Sequence, residues 1–172
     1  MADIQRTRAI AARAQEIWDV LADFGSISSW AGNVDHSCIL FSGPDGGPVG
    51  AARRVQVKRD ALVERITEFD PPHALGYDFE GLPSRLRRVT NRWTLAAGAG
   101  DSTAVTLTST VDIGPRPPQK LAERVLCRFL ARQSDVMLAG YRRLGAGAPS
   151  QADGESACAA AYPGSCPRRL QL

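Results

Sequence analysis

Hydrophobic and polar residues alternate through most of the first two thirds of the chain, which is typical of β-strands with one buried face. The alternation predicts seven strands, at residues 3–10, 34–41, 51–59, 61–69, 73–80, 85–96 and 102–113. The later strands are joined by short connections such as Asp70-Pro71-Pro72. Because such connections leave no room for crossovers, we expect a single antiparallel sheet.

Three segments change to helical spacing. Ile17, Val20, Leu21 and Phe24 form one apolar face of a helix within residues 14–24, and Ser26 is placed to cap a second short helix within residues 26–32. Residues 118–144 then repeat apolar positions at helical spacing. A helix of that length is about 40 Å long and needs a broad apolar surface, which the predicted sheet offers.

The alternation also predicts which strand residues face the core. The inward set is Val55, Val57, Leu62, Glu64, Ile66, Leu75, Tyr77, Phe79, Val89, Asn91, Trp93, Leu95, Val105, Leu107, Ser109 and Val111. Glu64 and Asn91 thereby fall among apolar neighbours. Because an isolated buried charge is costly, Glu64 is a candidate functional residue.

Length and composition indicate one globular domain at residues 1–144, followed by a small, polar, Gly/Pro-rich tail at residues 145–172 that we expect to be flexible. No stretch approaches the roughly 20 apolar residues of a membrane span. The first residues contain no apolar signal-peptide core. We therefore expect a cytoplasmic protein without an integral membrane segment, and the Ala/Arg/Gly/Pro bias is bacterial in style.

The net charge of +3 comes from 21 basic and 18 acidic residues, and Lys occurs only at positions 58 and 120. Arg suits phosphate or carboxylate recognition, but GC-rich codon usage explains the same bias. The local cluster of Arg85, Arg87, Arg88 and Arg92 is either a solvated edge or a site for an acidic head group. No dense basic run could track a nucleic-acid backbone, so no nucleic-acid partner is expected.

Neither a metal nor a cofactor is predicted. The four cysteines lie far apart with no CxxC pair, so we expect Cys38 and Cys127 to be reduced thiols rather than zinc ligands. The two histidines, His36 and His73, do not form a metal site. The loop GPDGGPVG lacks the Lys-Ser/Thr ending of a phosphate cradle and precedes a strand, so neither nucleotide-binding pattern fits.

The order strand, two short helices, six strands and one long helix resembles the helix-grip fold of the SRPBCC superfamily. The resemblance is carried by AQEIWDVLADFGSISSW, the GPDGGPVG loop, VERITEFDPPHALGYDFEG, and NRWTL followed by a glycine turn and AVTLTSTV. It spans residues 3–144. Members include START lipid-transfer domains, birch-pollen-allergen-like proteins, aromatase/cyclases and the polyketide cyclase/dehydrase-like bacterial proteins, to which this chain is most similar.

The resemblance implies an α+β domain in which a curved antiparallel sheet of about seven strands wraps around the long C-terminal helix. It also implies a ligand cavity between sheet and helix, with the glycine loop beside its mouth. Polar residues often lie in such cavities at the positions matching Glu64, Tyr77 and Asn91. The candidates to line it are Trp30, Val55, Val57, Glu64, Tyr77, Phe79, Asn91, Trp93, Leu107, Phe129, Gln133 and Met137.

No catalytic residue is identified, and Glu64 and His36 are the two candidates. A carboxylate among apolar neighbours suits a general acid or base, and it equally suits a structural ion pair with Arg53. His36 follows the short helices near the supposed mouth. Its neighbour Asp35 is not an obvious partner, because adjacent strand residues point to opposite faces.

Three functions remain open. The first is binding or transport of a small lipophilic ligand such as a lipid, polyketide or isoprenoid. The second is a polyketide cyclase/dehydratase-like enzyme that uses acid and base groups of the cavity. The third is a protein-interaction module, which the Arg residues at 124, 128 and 132 and the tail suggest. We expect a monomer or a homodimer.

Overall fold

The computed structural model describes residues 1–83 and 86–114, together with Gln119, Glu123 and Asp135. All seven predicted strands are present, and their ends differ from the predicted ones by no more than three residues. They are β1 (Ala2–Ile10), β2 (His36–Phe41), β3 (Ala52–Val57), β4 (Asp60–Asp70), β5 (Ala74–Glu80), β6 (Arg88–Ala97) and β7 (Thr103–Asp112).

The strands form one antiparallel sheet in the order β1-β7-β6-β5-β4-β3-β2. Strands that follow each other along the chain are neighbours from β2 to β7, while β1 pairs with β7 and leaves β1 and β2 as the edges. The predicted antiparallel sheet is therefore confirmed. The register of β4 with β5 is irregular between Ile66 and Glu68, as at a β-bulge.

The first predicted helix is α1, at Ala14–Ala22, and it buries Ile17, Trp18 and Leu21 against the sheet. The second is a 3₁₀ helix at Phe24–Ser29. It begins earlier than predicted because Phe24 is drawn into the core, where it is 4% exposed. Ser26 consequently lies inside the helix and does not cap it, so that part of the prediction is wrong.

The predicted long helix at 118–144 lies outside the described residues except for Gln119, Glu123 and Asp135, each of which has helical backbone. Glu123 is buried, and its Oε1 accepts hydrogen bonds from the backbone N–H groups of Ile113 at 2.8 Å and Gly114 at 3.3 Å. It also pairs with the ammonium group of Met1 at 3.1 Å. The tail at 145–172 lies outside the described residues as well.

The predicted inner face of the sheet is confirmed. Val55, Glu64, Ile66, Leu75, Tyr77, Val89, Asn91, Trp93, Leu95, Val105, Leu107, Ser109 and Val111 are buried, and Val57, Leu62 and Phe79 are half-buried. Most of the apolar members form a core with α1 and the 3₁₀ helix, while Val89 and Val111 belong to a second, smaller cluster. The inner face therefore offers the broad apolar surface that the sequence predicts.

Cys38 does not match its prediction, because it forms a disulfide bond and is not a reduced thiol. Its side chain is half-buried on the edge strand β2. No group of His, Cys, Asp and Glu in the described part of the chain could hold a metal ion. Over the same residues, no helix is long and apolar enough to cross a membrane.

Candidate functional site

Three polar side chains form a continuous row across the inner face of the sheet. Tyr77 on β5 is in register with Asn91 on β6, and Asn91 is in register with Ser109 on β7. Asn91 Nδ2 donates to the Tyr77 hydroxyl oxygen at 3.2 Å, and Ser109 Oγ donates to Asn91 Oδ1 at 2.6 Å. We call Tyr77, Asn91 and Ser109 the polar row.

The polar row is enclosed by apolar and aromatic side chains. Ser109 is 1% exposed, Tyr77 1% and Asn91 7%. Trp93 on β6 donates its Nε1 hydrogen to the same Tyr77 oxygen at 3.4 Å. The hydroxyl oxygen of Tyr77 thus accepts twice, and no described residue accepts its proton in this arrangement.

The Tyr77 hydroxyl is held in its neutral form. Burial, together with a smaller contribution from the nearby Glu64 carboxylate, raises the pKa of Tyr77 to about 12 against the opposing effects of Arg53, Trp93 and Asn91. At neutral pH the polar row therefore presents a phenolic hydroxyl that is able to donate a hydrogen bond.

Glu64 lies beside the row and is paired. Arg53 on β3 faces Glu64 on β4, and its Nε and Nη2 contact Glu64 Oε2 at 2.7 and 2.6 Å. Both side chains are almost completely buried. The sequence left two roles open for Glu64, a general acid or base and a partner of Arg53 in a structural ion pair. The contact in the structure is that ion pair.

Phe24 covers the ion pair from the side of the 3₁₀ helix. Its carbonyl oxygen accepts a hydrogen bond from Arg53 Nη1 at 2.7 Å, and its ring lies 3.9 Å from the guanidinium carbon. The same ring packs edge-on against Tyr77, with 5.7 Å between ring centroids. Phe24 therefore contacts both the ion pair and the polar row, and a cation–π contact adds to the charge-assisted hydrogen bonds of Arg53.

Most of the predicted ligand-lining residues meet on this face. Val55, Glu64, Tyr77, Asn91, Trp93 and Leu107 are buried there, with Val57 and Phe79 half-buried. Trp30 ends the 3₁₀ helix and packs edge-on against Trp93 at 6.0 Å. Phe129, Gln133 and Met137 lie outside the described residues.

His36 lies apart from this group. It is exposed at the start of the edge strand β2, while the next residue, Ser37, is buried and bonded to the 3₁₀ helix through Gly25 O at 2.6 Å. Successive strand residues point to opposite faces, so His36 is on the outer side of the sheet. The two acid–base candidates, His36 and Glu64, are therefore not brought together.

Ser109 and Arg53 were not among the predicted ligand-lining residues, although Arg53 was named as an ion-pair partner of Glu64. Ser109 was predicted to face inward, but its link to Asn91 depends on the pairing of β6 with β7. Arg53 lies two and four residues before Val55 and Val57 on the same strand. The alternation of side chains along the strand therefore indicated that it faces inward with them. The two adjacent arginines of the run ARRVQV, however, are typical of a solvent-exposed segment and obscured this indication.

Comparison with known proteins identifies the family. The family model described as polyketide cyclase/dehydrase and lipid transport matches residues 1–144. The chain therefore belongs to this family. A search of curated proteins finds no match.

Solved structures share the fold. A START superfamily protein from Mycobacterium smegmatis superposes with a TM-score of 0.63 at 16% identity, covering 82% of this chain and 97% of the other. The ZhuI aromatase/cyclase from Streptomyces sp. R1128 gives a TM-score of 0.64 at 18% identity, covering 89% and 98%. The di-domain aromatase/cyclase StfQ of the steffimycin pathway gives 0.66 at 14% identity, covering 82% of this chain and 50% of that one.

Proposed function

We propose that this protein binds a small, largely apolar ligand against the inner face of the sheet, with a polar group of the ligand at the polar row. The observation that carries the proposal is the row itself, three linked polar side chains in a wall that is otherwise apolar. Ligand sites in proteins commonly combine an apolar lining with a few placed polar groups. On this proposal the protein is a carrier or binding protein, monomeric or homodimeric.

The hydrogen-bonding state of Tyr77 supports the proposal. Its oxygen accepts from Asn91 and Trp93, and its proton has no acceptor among the described residues. A buried donor without a partner costs about 1–3 kcal/mol, so a ligand oxygen that accepts this proton gains more than the same contact would in water. A carbonyl, ether or hydroxyl oxygen meets the requirement.

The test is native mass spectrometry of the purified protein, followed by titration with an uncharged fluorescent probe such as N-phenylnaphthylamine. We expect a co-purifying lipophilic mass or saturable probe binding, and we expect any co-purifying ligand to bind about tenfold more weakly to Tyr77→Phe. Thr106→Val is the matched control, because Thr106 loses one hydroxyl bond to Thr7 on the outer side of the same sheet. A protein that carries no ligand and binds no probe would exclude this function.

A second candidate is a polyketide cyclase/dehydratase-like reaction, which the family description and the two aromatase/cyclase neighbours favour. The polar row would then orient carbonyl oxygens of a poly-β-ketone chain, and proximity would promote ring closure. Glu64 Oε2 is engaged by Arg53 and His36 is on the outer side of the sheet, which supports binding over acid–base catalysis. Unchanged turnover in Glu64→Gln and His36→Ala would remove catalysis by these residues.

The third candidate, a protein-interaction module, ranks last. Its motivating features, Arg124, Arg128 and Arg132 and the tail at 145–172, lie outside the described residues. A tagged full-length protein that retains a partner at low salt and loses it at high salt would favour this candidate over ligand binding.

A further inference from the structure

A mainly apolar cleft opens between the 3₁₀ helix, β2, β4 and the glycine-rich loop at 42–50. Its volume is about 280 Å³, and its apolar walls include Phe24, Ile39, Ile66 and Phe69. The loop closes one side through Gly46, Gly47 and Pro48. The predicted mouth loop therefore borders an open cleft.

The cleft adjoins the candidate site through a single layer of side chains. Phe24 and Ile66 line the cleft, and each also borders Tyr77: Phe24 packs on the Tyr77 ring at 5.7 Å, and Ile66 is the register partner of Tyr77 on the adjacent strand. A molecule that fills the cleft and moves the Phe24 ring aside would reach the polar row.

No free positive charge lies along this route among the described residues. Of the described residues that line the cleft, Asp23 alone carries a charge. Behind Phe24, all three guanidinium nitrogens of Arg53 are used, since Nε and Nη2 contact Glu64 and Nη1 contacts the Phe24 carbonyl oxygen. Arg6 and Arg8, the basic residues with the inward parity of β1, lie at the opposite edge of the sheet, where Arg6 pairs with Asp135 at 3.5 Å.

Against the described residues, an anionic group on this route would therefore lose its hydration without gaining a cation. That desolvation is costly, whereas an uncharged oxygen needs one donor, which Tyr77 supplies. The Glu64 carboxylate beside the polar row adds repulsion of any second negative charge. The charges thus select against carboxylates and phosphates and in favour of uncharged ligands.

We propose that the ligand is an uncharged amphiphile, with an alkyl or aryl group that lies in the cleft and a carbonyl or hydroxyl oxygen that reaches Tyr77 past Phe24. The inference rests on the proposed function and narrows its ligand to one chemical class. Fatty acids and phospholipids are excluded from this class.

The first experiment compares two ligands of equal chain length, methyl laurate and laurate, as competitors of bound N-phenylnaphthylamine at neutral to slightly alkaline pH. The uncharged ester is expected to displace the probe at a concentration at least tenfold lower than the carboxylate. Equal or stronger displacement by laurate would overturn the uncharged class while leaving ligand binding intact. Absence of probe binding would instead count against the proposed function itself.

The second experiment fills the cleft. Gly47→Phe adds a ring from the loop, and the position accepts a side chain because a Cβ there meets only the Pro44 carbonyl oxygen, at 3.4 Å. Gly32→Phe is the matched control, since Gly32 is exposed and a Cβ there meets no atom within 4 Å. We expect methyl laurate to bind Gly47→Phe at least tenfold more weakly and Gly32→Phe as it binds the wild type. Unchanged affinity in Gly47→Phe, with an unchanged circular dichroism spectrum, would overturn the role of the cleft.

Discussion

Arg53 and Glu64 face each other in register on β3 and β4 and form an ion pair whose side chains are only 3% and 6% exposed. The pair lies between two aromatic rings, with the Arg53 guanidinium carbon 3.9 Å from the Phe24 ring and 5.0 Å from the Tyr77 ring. The ion pair therefore connects the 3₁₀ helix with the sheet and lies against the polar row.

Breaking this pair on one side should be more damaging than removing it. Glu64→Leu leaves a buried guanidinium without its anion, and we expect the free energy of unfolding to fall by about 3 kcal/mol. Arg53→Met should cost a similar amount. The double variant should lose clearly less than the sum, because no uncompensated charge remains. Urea unfolding of the four proteins gives the coupling energy, and additive losses would contradict the description of the pair as mutually dependent.

The strands and the inner face were predictable because a strand repeats every two residues and one face of this sheet is buried. The run Thr103, Val105, Leu107, Ser109 and Val111 shows that repeat directly, with every member buried. The irregular register in β4 changes the alternation only after Ile66, near the end of the strand, so most of its inward residues keep the predicted parity.

The site was only partly predictable, since it depends on which residues become neighbours across strands. Glu64 and Asn91 were identified because polar residues among apolar ones are conspicuous. The hydrogen bond from Ser109 to Asn91 requires the strand register, which the sequence does not state, whereas the pairing of Arg53 with Glu64 was one of two alternatives that the sequence left open. The register of β3 with β4 follows from the short turn at Lys58, whose φ of 56° is a left-handed conformation.

Alkaline pH should weaken the protein through Tyr77. The pKa of its hydroxyl is about 12 in the folded protein, mainly because of burial, against about 10 for an unfolded tyrosine. Between these values the folded protein keeps a proton that the unfolded chain has lost. The contribution of Tyr77 to the free energy of unfolding is therefore complete below about pH 10. It declines above that pH, by roughly 1 kcal/mol at about pH 11.

The measurement is the free energy of unfolding of wild type and Tyr77→Phe at about pH 9 and about pH 11. The difference between the two proteins should change with pH in the direction that disfavours wild type at the higher pH. Tyr141 and Tyr162 are present in both proteins, so their titration cancels. Parallel pH profiles would show that Tyr77 titrates as an ordinary tyrosine.

Gly76 should be needed for an ion pair on the outer face of the sheet. It lies between Glu68 and Arg92 in register, and the Arg92 Nε contacts Glu68 Oε2 at 2.6 Å across it. A Cβ at Gly76 would lie 3.1 Å from Glu68 Cβ and 3.2 Å from Oε2. Gly76→Ala should therefore displace the Glu68 carboxylate. The free energy of unfolding should fall by no more than about 1 kcal/mol, because an exposed ion pair contributes little.

The decisive readout is the pKa of Glu68, which the hydrogen bond from Arg92 holds below its ordinary value. NMR titration should find that pKa closer to ordinary in Gly76→Ala, so that less stability is lost as pH falls through the titration of this carboxyl. Gly32→Ala, where a Cβ meets nothing within 4 Å, should leave it unchanged. An unaltered Glu68 pKa in Gly76→Ala would mean that the pair tolerates the added methyl group.

Glu123 should make the corner after β7 sensitive to acid. Hydrogen bonds to its carboxylate, first from the backbone N–H of Ile113 and also from the Met1 ammonium and the Gly114 N–H, lower its pKa despite the opposing effect of burial. A group whose pKa is lowered by folding stabilises the protein above its unfolded pKa, and that contribution is lost as pH falls through the folded value. Glu123→Gln removes the charge but keeps the shape of the side chain.

We therefore expect Glu123→Gln to unfold at lower urea than wild type at neutral pH, and the gap to narrow below about pH 4 as the wild-type carboxylate takes up a proton. Asp3→Asn is the control, because Asp3 is an exposed acidic residue on the adjacent edge strand. Its unfolding midpoint should follow wild type at both pH values. A gap between wild type and Glu123→Gln that stays constant with pH would indicate that the carboxylate contributes through shape alone, and that the backbone at Ile113 does not depend on its charge.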